Sequence, residues 1–456
     1  MNAKQRYGIF GVILSACILC SLLQTAMNTA LPAVMIEFHI SAATAQWLTS
    51  GYSLAMGVMT PLTAYLIKRF PTRKLFCTAL LVFCVGVAFA AWSVSFPMLM
   101  VARILQALGA SVIVSMTQVV IFHVFPAEQR GSMMGMYGLA VGAAPILAPT
   151  LAGLVIDFWG WRMVFGISLG IAAVAVILGL RFMRDVLQTE RQSFDILSMA
   201  ECSLGLTGMM IGLGNITSAP FFSVSVAIPL AVGMIALALF SFRQLRLSEP
   251  YLNLKLFCNR EFTCGTLGSM LLYAGMIGAS VLIPLYVQSV RGLSATLSGM
   301  VTMPGSQVMI FINPIAGKLY DKFGIRKLFT LGSFLMLLGC LGLSFLTINT
   351  PLILVVVMFV IRQIAIGAMM MPLATWAMST LEKRSTADGT AILTSLRTIA
   401  GSIGSAVFVS LSSAVAAATS QIQGINAAFI GISAIAAVEL MFAILFVRSK
   451  PAISKK

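Results

Sequence analysis

One sequence pattern occurs twice in the chain, and the two similar copies decide the fold. The first copy reads AYLIKRFPTRK at residues 64–74, and the second reads GKLYDKFGIRK at residues 317–327. Arg103 and Arg362, each inside an apolar run, follow the two copies at nearly the same interval. Repeated halves around a cavity near the middle of the bilayer are a common design of membrane transporters.

The composition places the chain in a membrane. Of its 456 residues, 59% are hydrophobic and only 9% are charged, and the mean hydropathy is +1.00. A water-soluble domain with a normal polar surface does not reach this balance. Apolar stretches of about 20 residues, long enough to cross a bilayer as helices, recur along the whole chain. The sequence therefore predicts an all-α integral membrane protein.

Fourteen membrane-spanning helices are predicted from the apolar runs. The seventh and eighth are the shortest pair, and omitting them would leave two apolar runs in water, which is unfavourable. The predicted spans are residues 8–27, 46–67, 75–95, 99–122, 133–156, 163–182, 197–214, 223–242, 263–287, 297–317, 327–347, 352–377, 389–414 and 427–447.

The positions of the 29 lysines and arginines orient these spans. Only Arg162 and Arg291 fall on one side of the predicted bilayer, and Arg103, Arg362 and Arg397 fall within helices. All the others fall on the opposite side, and an excess of positive charge marks cytoplasmic loops. We therefore expect a multi-pass protein of a bacterial plasma membrane with both termini in the cytoplasm.

Several classes of function are disfavoured by what the sequence contains. The basic residues that give the net charge of +16 lie between apolar runs and are not concentrated on one solvent-exposed face, so no nucleic-acid partner is expected. No phosphate-binding loop of the type used by ATP-driven pumps is found. With two histidines and thirteen acidic residues, the chain is not expected to be an enzyme or to hold a metal or cofactor. The eight cysteines lie mostly in apolar runs and are interpreted as small buried side chains.

The chain resembles the major facilitator superfamily, and in particular its fourteen-helix drug:proton antiporter branch. Residues 317–327 match the loop motif of the superfamily, and the branch is matched by NTALP at 28–32, RILQ at 103–106, WRMVF at 161–165, PLYVQ at 284–288, RGLS at 291–294 and residues 299–304. The resemblance implies two six-helix bundles, at residues 1–185 and 261–456, the second ending in a short cytoplasmic tail. A linker at 186–260 would carry the two additional helices.

The resemblance also implies which residues form the gating loop and the antiporter motif. The cytoplasmic gating loop would comprise Gly317, Asp321, Gly324, Arg326 and Lys327. The fifth helix would carry the antiporter motif, with Gly138, Gly142, Pro145, Pro149 and Gly153 on one face together with Gly131 and Gly135. Small residues are also common at any interface between membrane helices, so plain packing is the alternative for this face.

The sequence departs from the family pattern in its first half. Leu23 stands where the branch usually has an acid, and Lys68 stands where the loop motif usually has aspartate. Asp321 is expected to accept hydrogen bonds from Arg326 or from the start of the next helix. Lys68 cannot accept such bonds, so the two halves are expected to close differently.

Charged residues inside the membrane are candidates for coupling or for the substrate cavity. The resemblance places Arg103 in the coupling region, with Gln106 one turn away on the same face, and Arg362, Arg397 and Glu439 complete the set. Each candidate has a purely structural alternative. The arginines would bond only to helix carbonyls, or Arg397 would extend towards the membrane surface. Glu439 would face lipid or a helix interface.

Two functions remain open from the sequence. The first is export of small amphipathic compounds by proton antiport with alternating access, with the compound and protons as partners. Three arginines against one acid within the membrane favour neutral, zwitterionic or anionic substrates. The second is a sensor or ligand-binding protein that does not transport, because Leu23 and Lys68 remove expected acids.

Overall fold

The computed structural model describes residues 2–40, 42–187, 189, 195–216, 222–247, 250, 252–293 and 295–447. These residues form fourteen α-helices and no strand, which confirms the predicted fold class. The helices are α1 Ala3–Phe38, α2 Ala42–Arg69, α3 Thr72–Ala91, α4 Phe96–Val124, α5 Ala127–Trp159, α6 Trp161–Phe182, α7 Ile196–Asn215, α8 Val224–Arg246, α9 Arg260–Leu285, α10 Ala295–Phe323, α11 Ile325–Leu343, α12 Leu352–Ser379, α13 Thr386–Ala418 and α14 Gln421–Phe446.

Eleven of these helices are long and apolar enough to cross a membrane, judged on the described residues by length and composition. The remaining three, α2, α5 and α10, contain 28, 33 and 29 residues and pack among the eleven. Two short 3₁₀ turns, at Leu254–Cys258 and Lys383–Ser385, and a π-helical turn at Tyr286–Val290 complete the described secondary structure. The chain is a multi-pass membrane protein.

Helix packing follows the two halves of the repeat. Within the first half, α1 packs on α4, α5 and α6, and α3 packs on α4 and α6. Within the second half, α9 packs on α12 and α13, and α11 packs on α12 and α14. The halves meet where α5 packs on α10 and α2 packs on α13, while α7 and α8 pair with each other. The division at residues 185 and 260 stays a prediction, and the predicted tail at 448–456 lies outside the described residues.

Both described ends of the chain lie at the same end of the bundle. The helices run in alternating directions, and Arg260 at the start of α9 donates a hydrogen bond to the carbonyl of Phe446 at the end of α14 (3.4 Å). This end, called the basic end below, carries the two repeated loops with their lysines and arginines. It is the end that the charge distribution predicts to be cytoplasmic.

The two repeated loops turn differently. Gly324 links α10 to α11 with φ of +73°, a left-handed conformation that favours glycine because it has no side chain to clash. Its counterpart in the first copy is Pro71, which precedes α3 with φ of −54°. Pro71 therefore makes its turn with ordinary backbone geometry, and no glycine is needed at this position of the first copy.

Candidate functional site

Arg103 is fully buried inside the first half and is held by neutral groups. Its guanidinium donates to the Gln106 side chain (2.9 Å) and to the backbone carbonyls of Leu48 (3.1 Å) and Leu23 (3.4 Å). It lies 4.2 Å from the centre of the Tyr52 ring, a cation–π contact. Its second terminal nitrogen, Nη2, has no hydrogen-bond partner among the described residues.

Arg362 is buried in the second half in a related way. Its guanidinium donates to the carbonyls of Met276 (2.8 Å) and Gly275 (3.3 Å) on α9 and to the Gln363 side chain (3.3 Å). The Nε atom of Arg362 lacks a partner within the described part of the chain. Each arginine therefore reaches the first helix of its own half through backbone carbonyls.

The two arginines do not occupy equivalent positions, although their similar sequence intervals suggest it. Gly86 of α3 packs against the Gln106 backbone nitrogen, and its repeat counterpart Gly339 of α11 packs in the same way against the Arg362 backbone nitrogen. Arg362 therefore matches Gln106, one helical turn from the position of Arg103. The loop before α12 is longer than the loop before α4, which accounts for part of the difference between the two intervals, and the remaining helical turn separates the two arginines.

Arg397 lies deep in α13, at the contact between the halves. Only 8% of its surface is exposed, so its side chain packs inside the bundle. Its guanidinium lies 5.0 Å from the centre of the Tyr273 ring on α9. Tyr137 of α5, which accepts a hydrogen bond from the Gln118 side chain (3.4 Å), lies within electrostatic range of Arg397 and Tyr273.

Glu439 is buried within the second half and does not face lipid. Only 1% of its surface is exposed, and its Oε1 atom has no hydrogen-bond partner among the described residues. It lies on the α14 face that carries Ile432 and Ala436, near Cys340 of α11. Of the two alternatives, the lipid-facing one is therefore wrong, and the side chain lies at the interface between α14 and α11.

The small residues of α5 serve two interfaces. Gly131, Gly135, Gly138 and Gly142 approach α10, and the Asn313 side chain there donates to the Gly138 carbonyl (3.1 Å). Gly153 is nearest to Thr29 of α1 instead. The side chains of Pro145 and Pro149 lie outside the described residues. Any side chain at Gly131 would clash with the Gly317 carbonyl, so these helices approach backbone to backbone.

Asp321 joins the halves at the basic end, through a partner that differs from the expected one. Its two carboxylate oxygens accept hydrogen bonds from the backbone N–H groups of Gly131 (3.0 Å) and Ser132 (2.8 Å), near the start of α5. The expectation that the start of the following helix supplies the donors is wrong. Backbone amides near a helix N-terminus favour an anion, so this contact is charge-assisted.

Lys68 makes the corresponding contact in the first half with the charges exchanged. Its Nζ atom lies 2.6 Å from the carboxylate of Asp388, the third residue of α13, and both side chains are largely buried. In the second copy of the repeat, Asp321 supplies the acid. In the first copy, Lys68 supplies the base, and Asp388 of α13 supplies the acid. Nothing in the sequence singles out Asp388, because its partner lies 320 residues away.

Glu37 joins two helices of the first half at the opposite end of the bundle, and sequence analysis did not predict this contact. Its carboxylate accepts hydrogen bonds from Trp161 Nε1 (2.7 Å) and Arg162 (2.8 Å), which joins α1 to α6. Burial raises the pKa of this carboxyl, but the bonds from Trp161 and Arg162 outweigh burial and the pKa lies below its ordinary value.

An apolar groove of about 330 Å³ lies between α2, α3 and α4, away from the buried arginines. Eleven residues line it, and all but Lys74 and Thr78 are apolar or glycine. It belongs to the first half alone, so we do not place the substrate there.

Comparison with known proteins agrees with this architecture. The family model of the Major Facilitator Superfamily matches residues 13–405, and the chain belongs to this family of membrane transporters.

Relatives match it almost from end to end. An uncharacterized MFS-type transporter, YcnB of Bacillus subtilis (strain 168), is 37% identical over 450 residues, which cover 97% of this chain and 95% of the relative. The lincomycin resistance protein LmrB of Listeria monocytogenes is 33% identical over 391 residues, covering 86% and 83%. The structure of the proton:xylose symporter XylE bound to 6-bromo-6-deoxy-D-glucose shares the fold, with a TM-score of 0.67 at 16% identity, covering 98% of this chain and 97% of that one.

Proposed function

We propose that this transporter exports small amphipathic compounds across a bacterial plasma membrane by proton antiport with alternating access. One observation carries the proposal. The halves meet at the basic end through two polar contacts, Asp321 with the start of α5 and Lys68 with Asp388. Both can break without unfolding either half, which is what rocking of one half against the other requires.

The direction of transport and the substrate class are inferred from the relatives and from the charge distribution. The family includes a lincomycin resistance protein among the relatives, which favours export of drug-like compounds. The basic end carries the excess of lysine and arginine, which favours a cytoplasmic location for both termini. Glu439 is our candidate for the proton carrier, because it is buried and forms no ion pair among the described residues.

Arg103 is the residue whose loss should stop transport most directly. Removing its side chain leaves the Gln106 side-chain oxygen without its donor, and an unsatisfied buried group costs about 1–3 kcal/mol. The carbonyls of Leu48 and Leu23 lose the guanidinium but keep their bonds within α2 and α1. We expect Arg103→Ala to abolish efflux of drug-like compounds from proteoliposomes with an imposed pH gradient. Arg103→Lys, which keeps the charge, tests function if the alanine variant fails to fold.

The control is Arg246→Ala, which removes an exposed arginine stacked on Phe242 at the end of α8. It should transport like the wild type. Efflux that ignores the pH gradient would reject proton coupling, and efflux that is unchanged in Arg103→Ala would remove this residue from the mechanism. Ligand binding without any flux in the wild type would favour the alternative, a sensor built on a transporter fold.

A further inference from the structure

Arg397 is a buried cation whose charge no neighbouring acid neutralises. No carboxylate among the described residues forms an ion pair with it, and it is more than nine-tenths buried. Its helix, α13, packs on α9 in its own half and on α2 and α4 in the other half. A fixed cation in this position is costly unless a counter-charge approaches it.

The hydroxyl group of Thr394, beside Arg397, also lacks a partner. Thr394 precedes Arg397 by one helical turn on the same face of α13, and its Oγ1 atom is buried without a hydrogen bond among the described residues. Buried polar groups are normally satisfied, so this hydroxyl beside a buried guanidinium indicates a missing partner.

Aromatic rings lie next to these donors. The Arg397 guanidinium lies 5.0 Å from the Tyr273 ring, and Tyr137 approaches from the opposite half. Tyrosine faces provide flat apolar surface for a ring system. Unpaired donors beside tyrosines, contributed by both halves, suit a molecule with an anionic group and an aromatic body.

The charge balance of the buried interior favours an anion as well. Arg103, Arg362 and Arg397 are buried without an ion-pair partner among the described residues. Only two carboxylates there have an enclosed oxygen without a hydrogen bond and form no ion pair, the buried Glu439 and the partly buried Glu201 of α7. Lys68 and Asp388 cancel each other. An anionic compound entering between the halves would reduce the uncompensated positive charge.

We propose that Arg397, with Thr394 and Tyr273, forms a binding subsite for the anionic group of an aromatic organic anion. The inference rests on the proposed transport function and names the substrate class of that function. The guanidinium binds the anionic group through its N–H donors, Thr394 donates a further hydrogen bond, and the Tyr273 ring packs on the aromatic body.

The test compares 2-naphthalenesulfonate, a permanent anion, with 2-naphthalenesulfonamide, a neutral compound with the same ring system. Binding to the purified full-length protein in nanodiscs is measured by titration calorimetry. We expect the wild type to bind the sulfonate about tenfold more tightly or better, because bonds to a charged group are the stronger ones. Arg397→Gln should remove this preference, and Arg397→Lys should keep part of it.

Arg246→Gln serves as the control and should bind both compounds like the wild type. Equal binding of the two compounds to the wild type, or an unchanged preference in Arg397→Gln, would overturn the proposal. Flux of each compound in proteoliposomes separates the two proposals. A preference for the anion without flux would reject transport and keep the subsite, whereas flux of both compounds without preference would reject the subsite alone.

Discussion

Leu23 lies on α1 beside Arg103, and its backbone carbonyl accepts a hydrogen bond from the guanidinium at 3.4 Å. The family branch usually has an acid at this position, so the side chain that would neutralise the arginine is replaced by a buried leucine. Arg103 instead depends on carbonyls, Gln106 and the Tyr52 ring. The proposed proton coupling must therefore use a carboxylate elsewhere.

Glu439→Gln tests whether that carboxylate is Glu439. The substitution removes the titrating proton and preserves the shape of a side chain that is buried against α11. We expect substrate exchange across proteoliposomes without a pH gradient to persist, and efflux driven by a pH gradient to fall at least about tenfold. The thermal midpoint should not decrease, because an unpaired buried carboxylate contributes no ion pair to lose.

Glu37→Gln is the matched control, since it alters an acid at the opposite end of the bundle that is paired with Arg162. It should keep the response to the pH gradient. An unchanged response in Glu439→Gln would exclude Glu439 as the carrier.

The sequence predicts part of the site and misses another part for a physical reason. The three-residue spacing of Arg103 and Gln106 predicts a shared helix face, and the two side chains hydrogen-bond at 2.9 Å. Leu48, Tyr273 and Asp388 come from other helices, and a single sequence does not show which helices become neighbours. Contacts within one helix were therefore predictable, and contacts between helices were not.

At the scale of elements, the helix count was predictable and the helix ends were not. The first span is predicted at residues 8–27, whereas α1 covers Ala3–Phe38. Hydropathy detects only the part of a helix that matches the apolar core of the bilayer. The helical hydrogen bonds continue beyond it into polar residues such as Glu37, where hydropathy gives no signal.

Asp195 anchors the additional helix pair, and its loss should loosen that pair. It caps α7 through the Ser198 backbone N–H (3.2 Å) and binds Arg243 of α8. We expect Asp195→Ala to lower the free energy of unfolding of this pair by about 1–2 kcal/mol at pH 7, the usual cost of a lost helix cap. Hydrogen exchange of α7 and α8 would measure the change.

The same contact should depend on pH. Burial raises the pKa of Asp195, but hydrogen bonds from Ser198 and Arg243 outweigh burial and hold the pKa below its ordinary value. A lowered pKa stabilises the folded form at pH values above the ordinary carboxyl pKa of about 3.9, and this stabilisation is lost as the pH falls further. The difference between wild type and Asp195→Ala should therefore shrink below about pH 4.

Asp195→Asn separates the cap from the charge, because asparagine also caps helices well. It should destabilise α7 less than alanine does. Equal protection of wild type and Asp195→Ala at pH 7 would contradict the assigned role.

At the scale of the whole molecule, the halves are held together at the basic end by contacts of opposite polarity. Lys68 pairs with Asp388, and Asp321 binds the amides of Gly131 and Ser132. We expect Lys68→Ala or Asp388→Ala to shift the protein towards a form that is open at this end, because each leaves a largely buried charge unpaired. The exchange Lys68→Asp with Asp388→Lys should restore most of the closed form.

Labelling of a cysteine introduced at Ala391 measures the opening. Ala391 is buried in α13 about one turn from Asp388 on the same face, and the exposed Cys258 is replaced by serine. Labelling by a maleimide should be about tenfold faster in either single variant, corresponding to a shift of about 1.4 kcal/mol. Lys322→Ala, at the end of α10, is the control. Failure of the exchanged pair to slow labelling again would argue against the ion pair as the closing contact.

The shared location of Asn2 and Val447 at one end of the bundle bears on the order of the halves along the chain. The segment between α6 and α9 begins and finishes at that same end. In a circular permutant that starts within this segment, with the original termini joined by a linker, every helix would cross the membrane in the same direction as it does now. Which half is synthesised first is therefore free to vary without altering how the helices are arranged.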